Sequence, residues 1–428
     1  MNQPFNSLNP VGRRLFAERL AQSVLGVSLL PHLSALAQEA PAPAAKAPGF
    51  GKAKAVIWLQ MTGGMSHIDT LDPKRGESKG ARDPIATKAG YELGGYLPKL
   101  AASHSEKMAI IRSMSSKTGV HASGQYLMRT GYEQRGTIQH PSLGAWAQEL
   151  LGKSHKTLPS SVCVNRNPDH GNGFFSAAYS PLPIHDPDAG LQYSTFAASS
   201  EVMDKRLALL NKIDGGFRAK FKDSNLKAYS DFYDDTLKLL SSEDLAAFKL
   251  TDEQDEQREA YGRNKFGQGC MLARRLVERG VRFVEVTQGG WDMHNDIDDE
   301  MQENGGIIDV AISALLEDLH NRGLLQSTMI VLCSEFGRGP RINSRSGRDH
   351  HPKVFSTMLA GAGVRGGTIY GSSDKDGNSV ADKQSTIQDF HSTVGHAMGM
   401  DVDHVTMSPS NRPFTVGDKG KVIADVLA

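Results

Sequence analysis

The chain has 428 residues, in which 48 Lys and Arg residues balance 48 Asp and Glu residues. This balance gives no indication of binding to nucleic acid or to an anionic membrane surface. The three cysteines, Cys163, Cys270 and Cys333, are far apart and form no C-x-x-C pair, which excludes a disulfide framework. The length allows two domains, but large α/β folds also reach this size as one unit, and we expect one main domain with an insertion.

The first residues of the chain have the pattern of a targeting segment. Arg13 and Arg14 form a twin-arginine start, residues 23–30 are a short apolar run, and small residues at positions 35–37 form a cleavage site. The run is too short to span a bilayer as a stable helix. We therefore expect cleavage after Ala37 and export by the twin-arginine machinery to a periplasmic or extracellular location, with no stable membrane span afterwards. The alternative is an amphipathic amino-terminal helix of the mature protein.

The sequence as a whole divides into segments of different composition. The predicted segments are a signal peptide over residues 1–37, a flexible linker over residues 38–53, and an α/β domain over residues 54–428, with a charged helical insertion or cap over about residues 192–257.

Within the predicted domain, two hydrophobic patterns alternate. Short runs typical of buried strands occupy residues 55–61, 108–111, 160–164, 281–287, 329–333 and 355–360. Helical spacing of apolar residues covers residues 121–130, 140–151, 264–279, 304–322 and 386–398. Because strands and helices alternate, the sequence predicts a doubly wound α/β fold, with a mostly parallel sheet and helices on both faces.

Charged and imidazole side chains follow three of the predicted strands. They are His67 and Asp69 after the first strand, Asp292 and His294 after residues 281–287, and Glu335, Asp349, His350 and His351 after residues 329–333. The carboxyl ends of parallel strands share one edge of a sheet, and ligands bind there. Carboxylates and imidazoles from separate strands build the one-metal and two-metal sites of phosphate and sulfate ester hydrolases. We therefore expect these eight side chains to ligate a divalent metal ion, zinc or calcium. The alternative is a set of solvated turns.

The loop after residues 329–333 also carries three arginines, Arg338, Arg341 and Arg348. A guanidinium group binds anionic oxygens through two parallel hydrogen bonds. We expect this loop to hold an anionic group of a substrate, with Arg338 as a candidate catalytic residue.

Five segments carry a family resemblance. They are residues 63–73, 261–268 and 273–277, Gly290-Trp291-Asp292-Met293-His294, and Ser334-Glu335-Phe336-Gly337-Arg338. Together they resemble the domain-of-unknown-function-1501 family, a group of exported bacterial proteins similar to the sulfatase and alkaline phosphatase superfamily. The match runs from about Lys54 to near the carboxyl end. The family itself lacks a settled activity, so the resemblance implies an alkaline phosphatase-like fold but no particular reaction.

The resemblance implies part of the superfamily's metal pattern. Asp292 and His294 resemble its Asp and His pair for one metal, although the usual spacing is wider. His350 or His351, followed by a proline and an apolar strand, resembles its last histidine.

Two positions depart from that pattern. Glu335 stands where an Asp-His pair ends a strand, and Phe336 replaces the histidine. Thr62-Gly63 stands where the superfamily has a metal-binding Asp, for which Asp69 is expected to compensate.

The nucleophile also departs from the superfamily. There, a Ser or Thr opens a helix that soon reaches Thr-Gly, and counting back from Thr130-Gly131 gives His121, with Ser123 two residues on. His121 is therefore a candidate metal ligand, covalent nucleophile or helix cap, and Ser123 is a second catalytic candidate. The maturation signal of formylglycine sulfatases is absent, because Leu272 stands at its decisive position.

Two hypotheses follow. The first is an exported, metal-dependent hydrolase of a phosphate or sulfate ester, acting on a small molecule or a polysaccharide. The second is a non-catalytic binding or assembly protein on a degenerate alkaline phosphatase-like scaffold. The fold alone does not decide between them.

Overall fold

The computed structural model describes residues 47–166, 171–192, 194, 201–202, 205–210, 212, 215 and 233–428. At its centre is a nine-stranded sheet. The strands are β1 (Ala55–Met61), β2 (Met108–Ser115), β3 (Ser161–Val164), β4 (Leu182–Ile184), β5 (Phe283–Gln288), β6 (Thr328–Ser334), β7 (Phe355–Gly361), β8 (Thr368–Tyr370) and β9 (Ser385–Thr386). The order across the sheet is β8-β2-β7-β6-β1-β5-β3-β4, and β9 pairs with β2.

The sheet is mostly parallel. β7 runs antiparallel to its neighbours β2 and β6, whereas the other neighbouring strands run parallel. This arrangement confirms the predicted fold class.

The helices cover both faces of the sheet. They are α1 (Pro98–Ser103), α2 (His121–Thr130), α3 (Leu143–Leu151), α4 (Asp255–Ala260), α5 (Lys265–Glu278), α6 (Ile297–Asn321) and α7 (Ile387–Met398). Successive side chains of the buried strand β1 point to opposite faces. Ile57 and Leu59 pack with α5 and α6 on one face, and Val56 and Trp58 pack with α2, α3 and α7 on the other. This two-sided burial explains why β1 reads as a continuous apolar run.

Short elements complete the fold. Two-stranded pairs are formed by Ile85–Ala86 with Glu92–Leu93, Gly337–Arg338 with His350–His351, Ser372–Ser373 with Val380–Asp382, and Thr406–Met407 with Pro413–Phe414. Short 3-10 helices occur at Gly76–Ser78, Ser105–Lys107, Ala177–Tyr179, Glu243–Phe248, Leu250–Asp252 and Ala424–Val426.

The strand register brings three loops to one level. Met61 at the end of β1 pairs with Gln288 at the end of β5 and with Ser334 at the end of β6. The residues that follow these three strands therefore leave the sheet at the same edge. This edge carries the candidate site.

Several predicted boundaries are corrected. The helix predicted from residue 304 begins at Ile297, because three acidic side chains occupy its first turn and suit the positive end of the helix dipole. The helix predicted from residue 140 begins at Leu143, because the Ser142 hydroxyl accepts a hydrogen bond from Ala145 N and caps it. β2 extends beyond residue 111 to Ser115.

The predicted linker is also too long. The amide of Gly51 donates to His396 O and that of Ala53 to Ala397 O, so these residues are tied to α7. The compact unit accordingly begins at Pro48. The predicted signal peptide and its cleavage site lie outside the described residues.

The predicted insertion over residues 192–257 is described in part. Its last portion contains a helix over residues 233–240, and Phe248 and Leu250 are buried in the core. Most of residues 193–232 lie outside the described part of the chain. Across the part that is described, no helix combines the length and apolarity that a bilayer span requires.

Candidate metal centre

One aspartate and two histidines meet at the edge where β1, β5 and β6 end. His121 is the first residue of α2, Asp292 follows β5, and His350 lies on the short strand after the loop that leaves β6. His350 Nε2 lies 3.0 Å from His121 Nε2 and 3.0 Å from Asp292 Oδ1. His121 Nε2 and Asp292 Oδ1 are 3.2 Å apart. Within the described ranges, these three side chains are the group whose ligand atoms converge closely enough to hold a metal ion.

A third histidine approaches the same atoms. His294 Nε2 lies 2.9 Å from His350 Nε2 and 3.1 Å from Asp292 Oδ1. His294 Nε2 therefore lies beside the group of three, close to two of its members.

The outer nitrogen of each imidazole faces an acceptor. His121 Nδ1 lies 2.8 Å from Glu335 Oε1, and His350 Nδ1 lies 2.8 Å from the carbonyl oxygen of Gly119. His294 Nδ1 lies 3.2 Å from Asp349 Oδ1. A backbone carbonyl or an ionised carboxylate only accepts hydrogen bonds, so in the neutral rings each Nδ1 carries the proton. Each Nε2 then carries no hydrogen and presents a lone pair.

These tautomers turn four lone-pair atoms toward one another, three nitrogens and Asp292 Oδ1. Lone pairs at hydrogen-bond distance repel unless a proton or a cation lies between them. Imidazole nitrogen and carboxylate oxygen are ligands of zinc, and donors at about 2.0–2.2 Å from a tetrahedral ion lie about 3.3–3.6 Å apart. Outward adjustments of a few tenths of an ångström would let the group accept such an ion, so the residues fit a metal centre.

Glu335 lies behind His121 and not among the converging atoms. It is completely buried, and its Oε1 accepts hydrogen bonds from Gly63 N at 2.9 Å and from Gln125 Nε2 at 3.3 Å, besides His121. Burial acts to raise the pKa of Glu335, but the hydrogen bonds, first that from His121, outweigh it and hold the pKa below its usual value. The hydrogen bond to Glu335 in turn raises the pKa of His121. The expectation that Glu335 is a direct ligand is therefore corrected, since this carboxylate orients His121.

Asp349 has a similar outer position. Its side chain is 68% exposed, and Asn343 Nδ2 donates both to Asp349 Oδ1 and to the carbonyl oxygen of His294, each at 3.1 Å. The expectation of Asp349 as a ligand changes accordingly, because Asp349 contacts the outer nitrogen of His294.

Arg338 is buried and engaged by the protein. Its Nε donates to Gly64 O at 3.0 Å and its Nη1 to Arg348 O at 2.9 Å, while Nη2 donates to Gly63 O and to Asp292 Oδ1. Burial acts to raise the pKa of Asp292, but the hydrogen bond and the positive charge of Arg338 act against it, and that pKa is lowered. The expectation that Arg338 grips a substrate anion is corrected, because its donors already have acceptors.

Two other arginines of this loop differ in exposure. Arg348 is buried and forms an ion pair with Asp69 at 2.9 Å, so it too is unavailable to a substrate. Arg341 is exposed to solvent.

Three predicted ligands lie outside the centre. His67 Nε2 lies 2.9 Å from Gly377 O and His351 Nε2 lies 2.7 Å from Asn378 O, so both rings hold the turn between the strands Ser372–Ser373 and Val380–Asp382. Asp69 is bonded to Arg348 and to the Ser66 hydroxyl. The expectation that these three side chains ligate the ion is corrected, because each is buried with a protein partner of its own.

The structure separates the two catalytic candidates on α2. His121 points its nitrogens at Glu335 and His350, and the helix has no side-chain cap, so a capping role for His121 is excluded. Ser123 is two positions later, and residues two apart do not share a face of a helix. Gln125, one turn after His121, does share that face and contacts Glu335. The spacing of four would have identified Gln125 from sequence, whereas the Gly119 carbonyl has no sequence signal.

Comparisons with known proteins place the chain in context. A family model described as "Protein of unknown function (DUF1501)" matches residues 53–427. No curated protein sequence matches the chain significantly.

Solved structures with a similar fold are remote. The PsFucS1 sulfatase from Pseudoalteromonas sp. is 14% identical, with a TM-score of 0.42 over 95% of this chain and 76% of that chain. An alkaline phosphatase from the Antarctic bacterium TAB5 is 14% identical, with a TM-score of 0.34 over 75% of this chain and 95% of that one. The lipoteichoic acid synthase LtaP from Listeria monocytogenes is 10% identical, with a TM-score of 0.35 over 90% and 79% of the two chains. These similarities are too distant to indicate a reaction.

Proposed function

The chain belongs to the DUF1501 family of proteins of unknown function, and we propose that it is a metal-dependent hydrolase of a phosphate or sulfate ester. The observation that carries the proposal is the convergence of His121 Nε2, Asp292 Oδ1 and His350 Nε2, with His294 Nε2 beside them. Each imidazole is held by an acceptor on its outer nitrogen, as ligating histidines usually are.

The donor set favours zinc over calcium. Calcium takes six to eight oxygen ligands, whereas imidazole nitrogen suits zinc and other transition metals. A bound zinc ion would lower the pKa of an attacking water and neutralise charge on the leaving oxygen. The chain's own residues hold the ligands in place: Glu335 fixes His121, Asp349 fixes His294, and Arg338 fixes Asp292.

The centre is accessible to a substrate. The side chain of Asp292 is 51% exposed, and those of His121, His294 and His350 are 26–28% exposed. An anionic ester of a small molecule or of a polysaccharide would approach from this open side. We also propose that the twin-arginine machinery exports the chain to the periplasm or the extracellular space, where such esters are available.

The placement of Ser123 on a different face of α2 from His121 favours water over a side chain as the nucleophile. In that reaction the water oxygen bonds to phosphorus or sulfur as the ester bond to the alcohol oxygen breaks, and the alcohol leaves with a proton. The same placement also keeps the second hypothesis, a non-catalytic metal-binding protein, as an outcome to be tested.

The test is hydrolysis of p-nitrophenyl phosphate and p-nitrophenyl sulfate by the purified full chain, with the zinc content measured on the same sample. We expect the chain to hydrolyse these esters, and we expect chelator to abolish this activity and added zinc to restore it. The Asp292→Asn substitution should remove the activity. Asp403→Asn, which alters an exposed aspartate in the loop after α7, is the matched control and should behave as the unsubstituted chain.

Two results would contradict the proposal in different ways. A chain that binds zinc but hydrolyses neither these esters nor a wider panel of phosphate and sulfate esters is a binding protein. A folded chain that takes up no metal ion has no metal centre at all.

A further inference from the structure

Arg338 is a permanent positive charge next to the metal ligands. Its side chain is completely buried, and in the antiparallel pair of short strands it stands directly opposite His350. Since an arginine side chain stays protonated in proteins, this charge is present at every working pH.

The acceptors around the guanidinium resemble the ligands of a hard cation. They are three backbone carbonyl oxygens and the Oδ1 atom of Asp292. Carbonyl and carboxylate oxygens are the groups that calcium and magnesium take from proteins. The guanidinium therefore occupies the place where a second cation would find its ligands.

Two buried carboxylates near the centre, Glu335 and Asp69, are already engaged by the protein. Glu335 accepts hydrogen bonds from Gly63 N and His121 Nδ1, and Asp69 is paired with Arg348. In the part of the chain that the structure describes, a single group of three metal-ligating side chains converges.

We propose that the centre binds one metal ion and that Arg338 takes the place of a second. This inference rests on the proposed function, since it concerns the same site. Arg338 already supplies a fixed positive charge at Asp292, and a second divalent ion would add further positive charge close to this buried arginine. Arg338 is a positioning residue, because it acts through Asp292 and directs Oδ1 toward the imidazoles.

The first test is stoichiometry. The full chain is stripped with chelator, titrated with zinc, and its bound zinc per chain is measured. We expect one ion per folded chain. Two ions per chain would overturn the inference and leave the proposed function standing, whereas no bound zinc would remove the metal centre and both proposals with it.

The second test isolates Arg338. Arg338→Met should weaken zinc binding by about 10–100-fold, the usual effect of losing an outer partner of a ligand, and Arg338→Lys should restore part of it because it keeps the charge and a donor. Arg274→Met is the control: Arg274 is also buried, but its ion pairs are with Glu253, Glu278 and Asp318, so its loss should lower stability and leave zinc affinity unchanged. Unchanged zinc affinity in Arg338→Met would overturn the positioning role. If Arg338→Met does not fold, the stoichiometry of the unsubstituted chain still decides between one ion and two.

Discussion

At the scale of single residues, the neighbouring histidines His350 and His351 on one short strand have different roles. Side chains of successive strand residues point to opposite faces, so His350 turns into the centre while His351 turns to the Asn378 carbonyl. Sequence alone offered the two as equal candidates, and only their placement separates them.

This difference predicts opposite results for two adjacent substitutions. His350→Ala should abolish zinc uptake and make the thermal midpoint insensitive to chelator, because a ligand is lost and binding to the folded state stabilises it. His351→Ala should keep zinc while losing about 1–3 kcal/mol of stability with its buried hydrogen bond. Zinc content and Tm with and without chelator distinguish the two. If His351→Ala lost its zinc and His350→Ala kept it, His351 would be the ligand and the assignment of His350 would be wrong.

The side chains of Ser123 and Gln125 on α2 give a second prediction at the scale of single residues. Ser123→Ala should retain both zinc and hydrolytic activity, since Ser123 lies on a different face of the helix from His121. Gln125→Ala should lower zinc affinity, because Gln125 donates to the carboxylate that orients His121. If Ser123→Ala keeps its zinc but loses turnover, Ser123 is the nucleophile after all.

At the scale of elements, the turn after β1 determines how closely the strand ends approach. Gly63 has φ of +120°, and a β-carbon there would lie 2.4 Å from the backbone nitrogen of Asp292. The backbone of Asp292 thus leaves no room for a side chain at Gly63.

Gly63→Ala should therefore lower zinc affinity as well as stability, because the new methyl group must displace the Asp292 backbone. Gly90→Ala is the matched control: it also has positive φ, at +85°, but no atom lies within 4 Å of its β-carbon. Backbone strain alone should cost Gly90→Ala about 1–2 kcal/mol and leave zinc binding intact. Equal zinc affinity in the two variants would show that the close approach at Gly63 does not matter.

The same turn shows where sequence reasoning succeeds and fails. Apolar runs predicted the strands because burial on both faces leaves a visible pattern. The predicted strand ends also led to Asp292, His294 and His350, which lie together at one edge of the sheet. They misplaced His67 and Asp69, because backbone hydrogen bonds such as Asp72 N to His67 O fold this segment back on itself. Such bonds involve no side chain and leave no trace in the sequence.

At the scale of the whole molecule, buried neutral histidines link stability to pH. Burial lowers the pKa of four histidines, His67, His104, His140 and His391, from 6.5 to about 4. Between pH 4 and pH 6.5 the unfolded chain binds more protons than the folded chain. The contribution of these histidines to the free energy of unfolding is therefore fully present above pH 6.5 and is lost as the pH decreases toward 4.

Urea denaturation across this pH range, with chelator present to remove metal release, measures the slope. His391→Phe should make the slope shallower, whatever it does to stability at neutral pH, because one of the histidines with a lowered pKa is gone. A slope unchanged by this substitution would contradict the assignment of His391 as a neutral buried group.

The export prediction concerns residues outside the described part of the chain. Arg13→Lys with Arg14→Lys should abolish export, since the arginine pair is read by a receptor and not as bulk charge. The measurement is fractionation of cells that produce this double variant. The control is a chain that keeps Arg13 and Arg14 and has its charges changed at Lys52 and Lys54. Normal periplasmic yield of the double variant would remove the twin-arginine assignment.

The ligands of the centre are distant in the chain: 229 positions separate His121 from His350, and 58 separate Asp292 from His350. An unfolded chain therefore does not hold His121, Asp292 and His350 together, and the complete centre forms only after the central strands have assembled. Zinc content then counts the molecules that have finished folding. If the chain is exported folded, the ion is chosen in the compartment of synthesis, before the protein meets the metals of its destination.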